Sequence, residues 1–168
     1  MECAVLSNAH EVVRVCTSAV FRNRSITIAD VAQAEDWDSV SRLTEQGAED
    51  LDTPQADGMT ALHWAVWHDN TKIAERLVDA DASPSPKNRY EVTPLSLACT
   101  NGNADIVQLL LDAGADTNSV LPSGETALMT ASRTGAVEAV RVLLDHKADV
   151  NAKERKGQTA DRKSTRLN

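Results

Sequence analysis

Thr60, Thr93, Thr126 and Thr159 stand at intervals of 33 residues, and five further columns keep that interval. They are Leu62, Leu95 and Leu128; Ala65, Ala98 and Ala131; Leu77, Leu110 and Leu143; Asp79, Asp112 and Asp145; and Ala82, Ala115 and Ala148. No local propensity constrains the fold as strongly as this period. It means one supersecondary unit copied along the chain, each copy too small to bury its own apolar face and obliged to stack on its neighbours.

Inside a unit the residues predict two helices and a loop. A threonine oxygen at the N-cap accepts an orphan backbone N–H, and Pro94 after Thr93 is preset for the first helical position. Leu62 and Ala65, like Leu95 and Ala98, lie three apart on one helical face, where the small residue admits a neighbouring helix. Gly102 and Gly135 end this first helix, because glycine enters the left-handed region without penalty. The second helix follows in "ADIVQLLLDAG" and "VEAVRVLLDHK", with a wide apolar face, and Gly114 closes the first of these. The stretch "GADTNSVLPSGET" then has the Asn, Pro, Ser and Gly content of a turn.

These residues resemble the ankyrin repeat, whose T-P-L-H-x-A core is matched here by "TALHWA", "TPLSLA" and "TALMTA". The likeness is sharp from Gly58 to Gln158. It extends back to a degenerate first repeat, where Val40, Leu43 and Gly47-Ala48 fit a second helix and its closing glycine. The resemblance implies an all-α solenoid of stacked helix-turn-helix units joined by β-hairpin-like loops, over residues 25–160. Several positions depart from the pattern. Asp69 and Asp81 stand where glycine is usual, Pro84 and Pro86 are expected to stiffen their loop, and Glu91 occupies the column of Gly58 and Gly124, leaving that turn's conformation open.

His63 and His68, with Trp64 and Trp67, crowd the stretch "GMTALHWAVWHD". On a helix, His63 and His68 would point about 140° apart, whereas a helical zinc pair needs i, i+4. No third ligand stands nearby, so neither metal nor cofactor is expected. The resemblance gives His63 a structural role, helping the threonine hold the loop to the helix. Ser96 and Met129 replace it in the other units, whose loops must be held differently. Trp64 is expected to be partly buried between repeats.

The resemblance also implies a concave groove that binds another protein. Its expected lining is Trp67 and His68, Thr100 and Asn101, and Arg133 and Thr134 along the first helices. The hairpin tips add Asp57 and Met59, Tyr90 and Val92, and Ser123 and Glu125. Trp67 and Tyr90 are candidates for one aromatic patch of the kind that dominates interface energy.

Composition narrows the function classes. The chain has 168 residues, and its aromatic content of 3% requires a core of aliphatic side chains, which suits close helix packing. A net charge of -8 opposes broad binding to nucleic acid or anionic lipid, and the cluster Lys153, Arg155 and Lys156 is short enough to be a solvated loop. Three cysteines without a paired pattern fit a reducing, cytoplasmic setting, and no apolar run approaches a membrane span. No nucleophile triad or phosphate loop is present. The expectation is a monomeric, non-enzymatic protein-interaction module. The alternative is a regulatory piece of a larger enzyme or channel, with an architectural spacer as a third possibility.

The two ends read differently. Residues 1–24 suit either a capping helix, with Val12, Val15 or Cys16, Ala19 and Val20 on one face, or disordered sequence. The tail "DRKSTRLN", residues 161–168, is similar to an in-frame translation of a common DNA-sequencing adapter and is expected to be non-native.

Overall fold

The computed structural model describes residues 27–47, 50–155 and 157–160. The expectations for residues 1–24 and for the tail lie outside the described residues. Among the described residues eight helices follow one another in pairs: α1 (Ile28–Gln33) with α2 (Trp37–Glu45), α3 (Ala61–Trp67) with α4 (Thr71–Asp79), α5 (Pro94–Asn101) with α6 (Ala104–Asp112), and α7 (Ala127–Thr134) with α8 (Val137–Asp145). Among the described residues extended pairing is limited to an isolated bridge between Val120 and Thr126. Helix contacts run along two rows. The inner row is α1–α3–α5–α7, the outer row is α2–α4–α6–α8, and each inner helix also packs on its own outer partner.

Every inner helix opens on a threonine. The side chains of Thr27, Thr60, Thr93 and Thr126 accept from the backbone N–H three residues on. Thr27 keeps the 33-residue interval to Thr60, so α1 and α2 form a unit of the same series. That unit's register is blurred by two shifts: Thr27 to Glu35 is one residue shorter than Thr60 to Asp69, and Gly47 to Gly58 is one longer than Asp81 to Glu91. Outer helices start on Asp36, Asn70 and Asn103, whose side chains cap Ser39, Ile73 and Ile106, while Ala136 gives α8 no side-chain cap.

Every described residue with positive φ falls in one of three columns. Inner helices end at Glu35, Asp69, Gly102 and Gly135; outer helices end at Gly47, Asp81, Gly114 and Lys147; hairpins turn at Gly58, Glu91, Gly124 and Gly157. The backbone demands a left-handed residue at each place, whatever the side chain. Glu91, whose turn the sequence left open, has φ 58° and closes the same turn as the glycines. Its N–H donates to the Asn88 carbonyl at 2.9 Å, as that of Gly58 does to Gln55 at 2.8 Å.

The core is aliphatic and columnar. Ala32, Ala65, Ala98 and Ala131 are fully buried where inner helices meet, and their methyl groups set the close approach. Leu62, Leu77, Leu95, Ile106, Leu110 and Leu143 are also inaccessible and supply most of the hydrophobic drive, about 1.5–3 kcal/mol for each such side chain.

Candidate functional site

The hairpin row and the inner helices meet along one edge of the stack, and His63 shows how that edge is held. The Thr60 N–H donates to His63 Nδ1 at 3.2 Å, and His63 Nε2 lies 3.0 Å from the Val92 carbonyl. These partners select the neutral Nε2–H tautomer, with Nδ1 as acceptor. Burial pulls the His63 pKa below its ordinary 6.5, against smaller opposing effects of the Val92 hydrogen bond and the Asp57 charge. The ring therefore pins a hairpin to a helix start and has no free nitrogen for chemistry. Ser96 is too short to do the same. Its hydroxyl accepts from the Thr93 N–H and donates to the Thr93 carbonyl.

Trp67 is 57% exposed on the inner layer and Tyr90 66% exposed at a hairpin tip. They make no ring contact with each other. The aromatic contacts instead join Trp37 to His68 (5.6 Å, edge-on) and Trp64 to His68 (6.1 Å). This corrects the expected Trp67–Tyr90 patch. It also moves His68 out of the expected lining, since the ring is half-buried between two tryptophans with Nδ1 3.8 Å from Glu35. Trp64 is half-buried and donates from Nε1 to Gln55 at 2.8 Å.

Thr100, Asn101, Arg133 and Thr134 are all exposed in register with Trp67 and His68. Two of them also tie units together. Asn101 Nδ2 donates to the Val66 carbonyl at 2.9 Å, and Thr134 Oγ1 to the Cys99 carbonyl at 3.2 Å. Arg133 Nε reaches the half-buried Glu125 carboxylate at 3.2 Å. At the tips Ser123 is exposed, Asp57 and Val92 are partly so, and Met59 is buried, its sulfur accepting from Asn88 Nδ2. Met59 is thus a core contact of the hairpin and not a presented tip; sequence spacing alone could not separate it from Asp57.

Among the described residues no group of three or more His, Cys, Asp or Glu side chains is placed to hold a metal, and no helix is long and apolar enough to cross a membrane. Cys99 is a free thiol, and burial pushes its pKa up to about 12, which makes it a poor nucleophile.

Residues 57–89 match the family model described as ankyrin repeat, and residues 82–154 match that for ankyrin repeats in three copies. The chain is an ankyrin repeat protein. A curated relative, the SH3 and multiple ankyrin repeat domains protein 2 of Homo sapiens, is 39% identical over 64 residues. That match covers 38% of this chain and 4% of the relative, so this ankyrin chain corresponds to a small part of that protein's length. Ankyrin repeats are generally protein–protein interaction modules, and the all-α solenoid here has that architecture.

Proposed function

We propose that this ankyrin array binds another protein through the groove between the hairpin row and the inner helices. Trp67 and Tyr90 act as anchors, while Thr100, Arg133 and Ser123 read the partner's polar groups. The observation that carries the reading is the exposure of Trp67 and Tyr90 in a chain with so few aromatic residues. Large rings left in water on a capped helical scaffold are the kind of side chain that dominates interface energy. The module acts as a monomer and has no catalytic role. The unpaired, buried Cys99 thiol supports a reducing, cytoplasmic setting.

A displayed random-peptide library selected on the wild-type protein tests this. Selected ligands are expected to lose at least tenfold in affinity for Trp67→Ala and Tyr90→Ala proteins whose melting temperatures are unchanged. Equal affinity for both variants would place binding elsewhere. A second reading makes the array one part of a larger protein. It is favoured by the exposed apolar side chains of Val137, Leu144 and Val150 around a shallow depression floored by Leu128, which a further packed element would cover. The uninterrupted transcript checks it.

A further inference from the structure

The four hairpins share one backbone geometry but are not joined equally. Gln55, Asn88, Leu121 and Glu154 each donate an N–H to the carbonyl four residues on, at 2.8–3.1 Å. The residue after each therefore presents its amide position in the same direction, toward the preceding hairpin. Arg89 N–H uses this to donate to the Asp57 carbonyl at 2.8 Å, and Arg155 N–H to the Ser123 carbonyl at 3.1 Å. Between these two links the equivalent residue is Pro122, which has no N–H to give.

A second irregularity falls at the same place. Where hairpins are linked, the turn residue is a glycine pressed against the next hairpin's backbone. A Cβ on Gly58 would stand 2.8 Å from the Asn88 Cα, and one on Gly124 3.2 Å from the Arg155 nitrogen. The turn facing Pro122 carries Glu91 at φ 58°, so a side chain stands where the linked hairpins have a bare glycine. The His63-type side-chain link is absent here, as it is at the junction served by Met129, because Ser96 bonds only back to Thr93. What crosses this junction away from the tips is the packing of α5 on α7 and of α6 on α8, with Asp116 N–H to Ser85 Oγ at 3.2 Å at the hairpin base and Thr134 to the Cys99 carbonyl between the inner helices.

We infer that the hairpin row is divided into two blocks, tips 57–58 with 89–91 and tips 123–124 with 154–155, which open and close against each other at the Glu91–Pro122 junction. The base and inner-helix bonds form the pivot. Tyr90 and Ser123 stand on opposite sides of the opening, so the motion changes the width of the groove between them. The inference concerns the scaffold and stands whether or not that groove binds a partner. Glu91 and Pro122 form a matched pair: the side chain that blocks close approach faces the residue that has nothing to gain from it.

Hydrogen exchange on repaired variants tests this. In Pro122→Arg alone, the new amide at position 122 is expected to exchange near the rate of an unstructured peptide, because Glu91 still holds the tips apart. In Glu91→Gly with Pro122→Arg, the same amide is expected to exchange at least tenfold more slowly. Equal protection in the two proteins, whether high or low, overturns the inference. Spin labels at positions 90 and 123, in a Cys3→Ser, Cys16→Ser background that leaves only buried Cys99, read the motion directly. Their distance distribution is expected to be broad in the otherwise unaltered protein and narrow in the repaired one. Labels at 56 and 90, within one block, are expected to be narrow in both. A 90–123 distribution as narrow as the 56–90 one before repair also overturns it.

Discussion

At the scale of single residues, His63 shows how one side chain serves stability and forbids chemistry at once. Its neutral ring satisfies two backbone groups that belong to different parts of the unit. Because its pKa is lowered on folding, the unfolded chain takes up a proton that the folded ring resists. The His63 contribution is therefore complete above about pH 6.5 and is lost as the pH falls below it. Denaturant titrations of the wild type and His63→Ala are expected to differ by about 2–3 kcal/mol at pH 7.5, the cost of two unpaired buried groups and a small void. The gap is expected to narrow on acidification to pH 5. A gap independent of pH would mean that the ring is not held neutral. Lys147 illustrates the opposite case. It takes φ 61° in the column of Gly114 and its side chain makes no hydrogen bond or ion pair, so Lys147→Gly is expected to raise stability by about 1 kcal/mol. Chemical denaturation reads the change.

At the scale of the helices, the outer row has one defect visible in its caps. Asp36, Asn70 and Asn103 hold the first turns of α2, α4 and α6, and Ala136 leaves α8 bare. Ala136→Asn is expected to stabilise the protein by about 1 kcal/mol, measured as a shift in the denaturation midpoint. The same helix is open on its outer face: Val137 is 61% and Leu144 44% exposed, whereas Leu111, in the Leu144 column of α6, is 5% exposed. Each aliphatic side chain left in water forgoes roughly 1.5–3 kcal/mol. Amides of residues 137–145 are thus expected to exchange well before those of 104–112, and equal protection would contradict this. The helices from Thr60 onward were legible because threonine caps, closing positions and core columns all hold one interval. The first unit was harder to read although Thr27 keeps that interval, because a residue lost before Glu35 is restored only after Gly47. The Trp37–His68–Trp64 cluster was not legible, since it joins side chains from different units that share no column.

At the scale of the whole molecule, the order of the array comes from repetition of a unit that is incomplete alone. Buried alanines let inner helices touch, leucines fill the space between rows, and left-handed residues turn the chain at three fixed points in every unit. The candidate groove was legible as a set of columns, but which members present themselves was not. Met59 and His68 are withdrawn by contacts across units that spacing does not encode, while Trp67 and Tyr90 are left exposed and apart. Stability in such a stack grows with each added neighbour interface. The most direct test of the account is therefore to insert a second copy of residues 93–125 in tandem and follow thermal unfolding by circular dichroism. The account predicts more helix by two helices' worth, a single cooperative transition and a higher melting temperature. An inserted copy that leaves the helical signal unchanged, or that lowers the melting temperature, would contradict it.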